Sequence, residues 1–266
     1  MGNGDGRIYY RDAIAIAQVV LFSLSFFCAV FFRWTRRFWF TIFAFSTIRY
    51  VGAGCMLGTV NKDSDGLWAG VFVCESLGVL LLIFTVLEIL GHVDKMAKIV
   101  DRRVFWVPQL LTYIDIGISI AGFIVVSKKN DDQLLPTPYS KAGIAILVAI
   151  YAYTAGVVVY FWFQRQRVDA EDHQLLLCTI ICAPMLFVRV LYSLIFVATA
   201  NMTWNAVKGN PTAYLTLTVL PEVAFIGVSC LFIAKSRPLM YLSATEDLER
   251  KGTEEQLSDD LLEPTR

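Results

Sequence analysis

Apolar residues in this chain do not recur at the intervals of an amphipathic helix or strand. They run together in long stretches broken by short polar segments. Between Ala13 and Phe32, for example, the polar side chains are only Gln18, Ser23 and Ser25. Runs of this length point to membrane spans. Seven can be drawn, at about 9–32, 38–60, 67–90, 104–127, 142–163, 174–200 and 211–234. At about 1.5 Å per residue each is long enough to cross a hydrocarbon core of about 30 Å. The pattern predicts an all-α polytopic membrane protein, with one seven-helix bundle over residues 1–236 and a disordered acidic tail over 237–266.

The first run is too long for the core of a signal peptide and ends in Arg33 without an Ala-x-Ala site, so it reads as a retained span. Aromatic residues gather near the expected span ends, at Tyr9, Tyr10, Trp34, Trp39, Trp68, Trp106, Trp162 and Trp204. Such belts mark the two membrane interfaces. Lysine and arginine are unevenly divided between alternate loops. One side carries Arg33, Arg36, Arg37, Lys95, Lys98, Arg102, Arg103, Arg165, Arg167, Lys235 and Arg237. The other carries Arg7, Arg11, Lys62, Lys128, Lys129, Lys141 and Lys208. The positive-inside rule then puts the amino terminus in the lumen or outside and the carboxyl terminus in the cytosol. Asn201-Met202-Thr203 is a glycosylation sequon in a loop expected on the lumenal side. The expected location is the endoplasmic reticulum or another endomembrane, with the plasma membrane as the alternative.

Composition narrows the partners. Only 17% of the residues are charged and mean hydropathy is +0.58, against about 25% charged in a soluble domain. Net charge is zero and no basic block stands out, which argues against nucleic acid. The six cysteines all lie in apolar runs, where packing is the expected role. Cys178 and Cys182 share a helix face without further ligands, so neither a metal nor a cofactor is expected. In the tail, Asp259-Asp260-x-x-Glu263 mimics a magnesium–diphosphate motif, but with no second motif opposite it the segment reads as a solubilising acidic run.

Five ionisable residues fall well inside spans: Arg49, Glu75, Asp115, Arg189 and Glu222. Glu88 and Asp12 lie nearer span ends. An arginine or aspartate at a helix centre costs about 2.5–3.5 kcal/mol, so five facing lipid would cost on the order of 10 kcal/mol. They are expected to face the bundle interior, with Arg189 directed at Glu75, Glu222 or Asp115. Polar neighbours share their faces: Thr112 and Ser119 with Asp115, Thr218 and Ser229 with Glu222, Tyr192 and Ser193 with Arg189. Pro184 and Pro221 interrupt the backbone ladder near these charges, and Gly54-x-x-x-Gly58 suits close helix packing. The five residues form either an ion-pair network that fixes helix order or the lining of a polar cavity. Intramembrane charges favour the cavity.

Several phrases carry a resemblance: "YYRDAIAIAQVV", "IRYVGAGCML", "CESLGVLLL", "KAGIAI", "PMLFVRVLYSLIF" and "NPTAYLTLTVLPEVAFIGV". Together they resemble a fungal family of seven-span integral membrane proteins built on a domain of unknown function, over nearly the whole chain except the tail. The Val-Arg-x-Leu-Tyr-Ser phrase around Arg189 and the acid at Glu222 are its best marks. The resemblance implies Glu where this chain has Gln18, and Gln where it has Glu75. In architecture the family is similar to the RTA-like lipid-translocating proteins and to small seven-span terpene cyclases of fungal secondary metabolism.

Three functions follow as expectations. In the leading one, a membrane-bound terpene cyclase, Asp115, Glu222 or Glu75 protonates an epoxy-isoprenoid in a dry aromatic pocket while Arg49 and Arg189 pair with charges or orient the substrate. The others are an RTA-like transporter of lipids or amphiphiles and a small-molecule receptor. All three take a lipophilic small molecule as partner.

Overall fold

The computed structural model describes residues 8–35, 39–61, 64–97, 100–101, 103–128, 138–168, 172–206 and 209–236. The tail 237–266, with its Asp-Asp-x-x-Glu sequence, lies outside the described residues. So do Arg7, Arg36, Arg37, Lys62, Lys98, Arg102, Lys129 and Lys208, on which the orientation reading partly rests. Among the described residues there is no strand.

Seven helices are long and apolar enough to cross a membrane. They are α1 (Tyr10–Thr35), α2 (Trp39–Asn61), α3 (Asp65–Ala97), α4 (Arg103–Lys128), α5 (Pro138–Phe163) and α6 (Asp172–Thr199), followed by α7 (Pro211–Lys235). Helix α3 runs past the expected end at residue 90 to Ala97. Its candidate span runs over Gly66–Lys95, and the buried Val93 keeps this end of the helix packed on the core. Hydropathy marks the apolar slab, and a helix is free to outrun it.

Each helix packs on the next in sequence, and α7 returns to touch both α6 and α1. Helix α3 is central, touching α2, α4, α5 and α6. Its most apolar stretch is 61% buried, against 17% for α4. The interior is a large apolar core with a minority of buried polar side chains, and the outer surface is apolar as well. On α1 the inward stripe Ala15, Gln18, Phe22, Ser25, Ala29 and Phe32 follows the 3–4 spacing of one helix face, while Val20, Leu24, Phe27 and Phe31 face outward. Ser25 meets Ser46 of α2 across the interface at 2.8 Å.

Helices α2 and α3 approach closely, but not through both glycines of the Gly54–Gly58 pair. Gly54 faces open space, whereas Gly58 lies against Leu67. Close contacts occur at Gly52, where a β-carbon would stand 3.0 Å from Cys74 Cβ, and at Gly70, where it would stand 2.9 Å from Cys55 Sγ. The useful small residues are those on the shared face, and sequence spacing along one helix does not identify that face.

Candidate functional site

Four of the five intramembrane charges close into one ring. Arg49 on α2 donates from Nη1 to Glu75 Oε1 on α3 at 2.6 Å and from Nη2 to Glu222 Oε1 on α7. Arg189 on α6 donates from Nη2 to Glu75 Oε2 at 2.8 Å and from Nε to the same Glu222 oxygen at 3.0 Å. Its Nη1 reaches Ser193 Oγ at 2.8 Å, one turn along α6. All four residues are buried, with Glu222 at 0% exposure and Arg189 at 2%. The ring joins α2, α3, α6 and α7 and sums to zero charge. Pairing and hydrogen bonding offset part of the cost of burying these charges; losing one partner strands the other.

Room for the ring comes from Gly78, one turn beyond Glu75. A β-carbon there would stand 2.8 Å from Arg49 Nη2 and 3.1 Å from Cζ. On its other side the Arg49 guanidinium lies 5.5 Å from the centre of the Phe45 ring, within cation–π range.

Helix α7 starts from Asn210, whose Oδ1 accepts the Thr212 N–H at 2.9 Å, with Pro211 in the first turn. It widens into a π-helical segment over Leu215–Val219 and continues as α-helix from Leu220. Pro221 has no N–H to donate back to Leu217, and its ring would crowd that carbonyl; a wide turn relieves both problems. In unbroken α-helix Tyr214 and Glu222, eight residues apart, would sit about 80° from each other around the axis, at about 100° per residue. One residue taken up by the π turn reduces the offset to about 20°. Both side chains therefore face inward.

The Tyr214 hydroxyl donates to Glu75 Oε1 and accepts from Gln18 Nε2 of α1 at 3.1 Å. Above it Arg11 donates to the Ala206 carbonyl at 2.6 Å and holds its guanidinium 5.4 Å from the Tyr214 ring centre. A cleft runs from this end of the bundle down to the ring. Arg11, Gln18, Arg49, Glu75 and Tyr214 form its polar wall; Ala15, Gly52, Ala53, Met56, Val71 and Ala206 complete it. About 20 Å³ is open to the centre of a water molecule, room for about one water. Among the described residues Arg49 Nε and Glu222 Oε2 have no hydrogen-bond partner; Arg49 lines the cleft, whereas Glu222 is fully buried behind it.

Asp115 does not join the ring. It is buried at 4% exposure on α4, which packs on α5 and α3 rather than on α2, α6 or α7. Depth along a span places it level with the others but does not say which helices stand beside it. Arg189 is thus paired with Glu75 and Glu222 and not with Asp115. The remaining sequence candidates are satisfied locally: Glu88 accepts from Thr41 at 2.9 Å, and Asp12 accepts the Tyr9 N–H at 2.9 Å. Cys178 and Cys182 lie 4.0 Å apart, with Ser229 Oγ 3.7 Å from Cys182. Among the described residues no three His, Cys, Asp or Glu side chains gather as they would around a metal. Asn201 is exposed, and its Oδ1 accepts the Thr203 N–H at 3.0 Å, capping the short turn Met202–Trp204.

Tyr214 and Arg11 escaped the sequence reading as site residues, and Gln18 entered it only as the position where the resemblance implies Glu. Tyr214 begins the stripe that continues through Thr218 to Glu222, a signal hidden because the π turn alters the spacing. Arg11 counted there only as a loop charge.

Residues 8–235 match the model of a family described as a domain of unknown function, DUF7702. The chain belongs to that family. The match takes in all seven helices and ends on the last residue of α7, so the DUF7702 unit is the bundle that holds the ring and the cleft. No curated protein and no solved structure matches the chain.

Proposed function

We propose that this membrane protein receives the polar, anionic end of a lipophilic small molecule in the cleft between α1, α2, α3 and α7, as an amphiphile translocator or receptor does. The observation that carries this reading is the mixed lining of the cleft, in which polar and apolar side chains alternate along α1, α2 and α3. Arg11, Gln18 and Arg49 bring N–H donors to it, among small apolar side chains and Met56. Two guanidiniums against one carboxylate, Glu75, favour a negative head group. The unpaired Nε of Arg49, a residue that lines the cleft, would lose its desolvation penalty on meeting a polar guest. With room for about one water, the cleft is too small for a polyene. The loop-charge bias supports a lumenal or outer position for its mouth, in an endomembrane or the plasma membrane.

The test is thermal unfolding of the protein in nanodiscs with a long-chain carboxylate, a lysophosphatidate or a long-chain amine. The two anions should raise the midpoint, and Arg11→Gln should abolish the rise. An equal rise with the amine, or none with either anion, overturns the reading.

Acid-initiated cyclisation of an epoxy-isoprenoid is the second reading, and one observation narrows it. A proton on Glu75 or Glu222 would leave two buried guanidiniums facing a single carboxylate. Asp115 is the carboxyl of the three that has no such clasp, so a membrane-bound terpene cyclase built on this bundle would protonate from it. In microsomes fed epoxy-isoprenoids, Asp115→Asn should abolish turnover. Full activity in that variant, or no turnover by the wild type, excludes this mechanism.

A further inference from the structure

The environment of Asp115 differs in kind from that of the ring. Its carboxyl is directed at the backbone of α5, where a β-carbon on Gly143 would stand 3.1 Å from Oδ1. That oxygen has no hydrogen-bond partner among the described residues. The neighbouring hydroxyl of Thr112 is spent on its own helix, donating to the Pro108 carbonyl at 2.8 Å. Ser119 Oγ stands 3.9 Å from the same Gly143 β-carbon position, beside the carboxyl rather than on it.

Nor, among the described residues, is any cation paired with it. The charged groups on the two helices packed against α4 are Asp65, Glu75, Glu88, Asp94 and Lys95 on α3 and Lys141 on α5, with His92 titratable on α3; α4 itself carries Arg103 and Lys128 at its two ends. Glu75 belongs to the ring, and Glu88 is held by Thr41. Lys141 is exposed at the start of α5, and among the described residues no ion pair reaches Asp115. The other titratable side chains are Cys74 on α3 and Tyr139, Tyr151, Tyr153 and Tyr160 on α5; Tyr151 donates to the Ala183 carbonyl and Tyr153 to the Val104 carbonyl.

Among the described residues neither a donor to Oδ1 nor a paired cation balances the removal of a carboxylate from water, whereas the undissociated acid carries no net charge to desolvate. We propose that Asp115 is a proton-binding site inside the bilayer, occupied at rest, and separate from the ring and the cleft. Its ligand is the proton itself, released only to a base that enters the α4–α5 seam. The two faces of the bundle would then be divided, with head-group recognition at the cleft and an exchangeable proton at the opposite seam. The site does not depend on the cleft binding an amphiphile.

Dicyclohexylcarbodiimide tests it on the intact protein in liposomes. The reagent enters from the hydrocarbon phase, where α4 is the least enclosed helix. Addition to a carboxylic acid forms a C–O bond to the carbodiimide carbon while the acid's proton passes to a carbodiimide nitrogen. The adduct retains the whole reagent and rearranges to a stable N-acylurea. Only the protonated carboxyl reacts in this way. Peptide mass spectrometry should find the adduct on Asp115 and not on Glu75 or Glu222, with labelling that falls several-fold as the pH is raised. Infrared spectroscopy should show a carboxylic-acid carbonyl band that Asp115→Asn removes, provided that the variant still forms the bundle by circular dichroism. An unlabelled Asp115 together with no Asp115-dependent acid band overturns the proposal. Labelling of Glu75 or Glu222 to the same extent as Asp115 overturns it as well.

Discussion

Arg49 of α2 occupies the space that a side chain on Gly78 of α3 would fill, with Nη2 only 2.8 Å from the position of a Gly78 β-carbon. The glycine sits one turn beyond Glu75, so the helix that supplies the carboxylate also supplies the hollow for its partner. Gly78→Ala should push the guanidinium off both acids and cost about 1–3 kcal/mol, the usual range for overpacking a filled site. Urea or thermal unfolding in detergent measures it. Gly54→Ala, where nothing lies within 4 Å, is the control and should be neutral.

The ring should behave as one unit. Arg189→Met or Glu222→Leu alone strands a buried charge and should cost about 3–5 kcal/mol. The double variant removes one cation and one anion together, and should be destabilised by clearly less than the sum of the two single changes. Simple additivity would show that the contacts between Arg189 and Glu222 carry no coupling.

Gln18 and Glu75 bond to the same hydroxyl, that of Tyr214. The resemblance described above implies an acid at the first position and an amide at the second, the reverse of this chain. Through Tyr214 the exchange leaves one carboxylate and one amide around a single hydroxyl. Glu75→Gln should therefore be partly rescued by Gln18→Glu, with a coupling of about 0.5–3 kcal/mol between the two changes. If the second change adds to the damage instead, the two positions are not equivalent seats for the charge.

Tyr214→Phe leaves the Gln18 amide and one Glu75 oxygen without a shared partner, at a cost of about 1–3 kcal/mol. Because Tyr214 also walls the cleft, the same variant should lower the thermal shift produced by a long-chain carboxylate. A stable variant with an undiminished shift would place the ligand elsewhere.

Asn201 is exposed beyond the end of α6. With the amino terminus in the lumen or outside, it should carry a glycan in a eukaryotic host, and Asn201→Gln should abolish the mobility change produced by an endoglycosidase. Cleavage of the tail by protease added to sealed microsomes should give the same orientation. Protection of the tail would reverse it.

Seven spans were legible in the chain because length and hydropathy are properties of one segment at a time. The inward aim of Arg49, Glu75, Arg189 and Glu222 was legible for a related reason: the cost of a charge in hydrocarbon can be judged without knowing its neighbours. Pairing cannot be judged in that way. Whether Arg189 meets Glu222 or Asp115 depends on which helices adjoin and how each is rotated, and in a bilayer the inward and outward faces are both apolar, so the usual periodic signal fades. Asp115 reads like the other four in sequence and stands apart because α4 packs on α5 and α3. Tyr214 reads as an ordinary aromatic near a span end, and it becomes a partner of Glu75 because the turn before Pro221 widens and rotates it inward. The chain alone determined which residues must leave the lipid; helix order and rotation decided which of them meet.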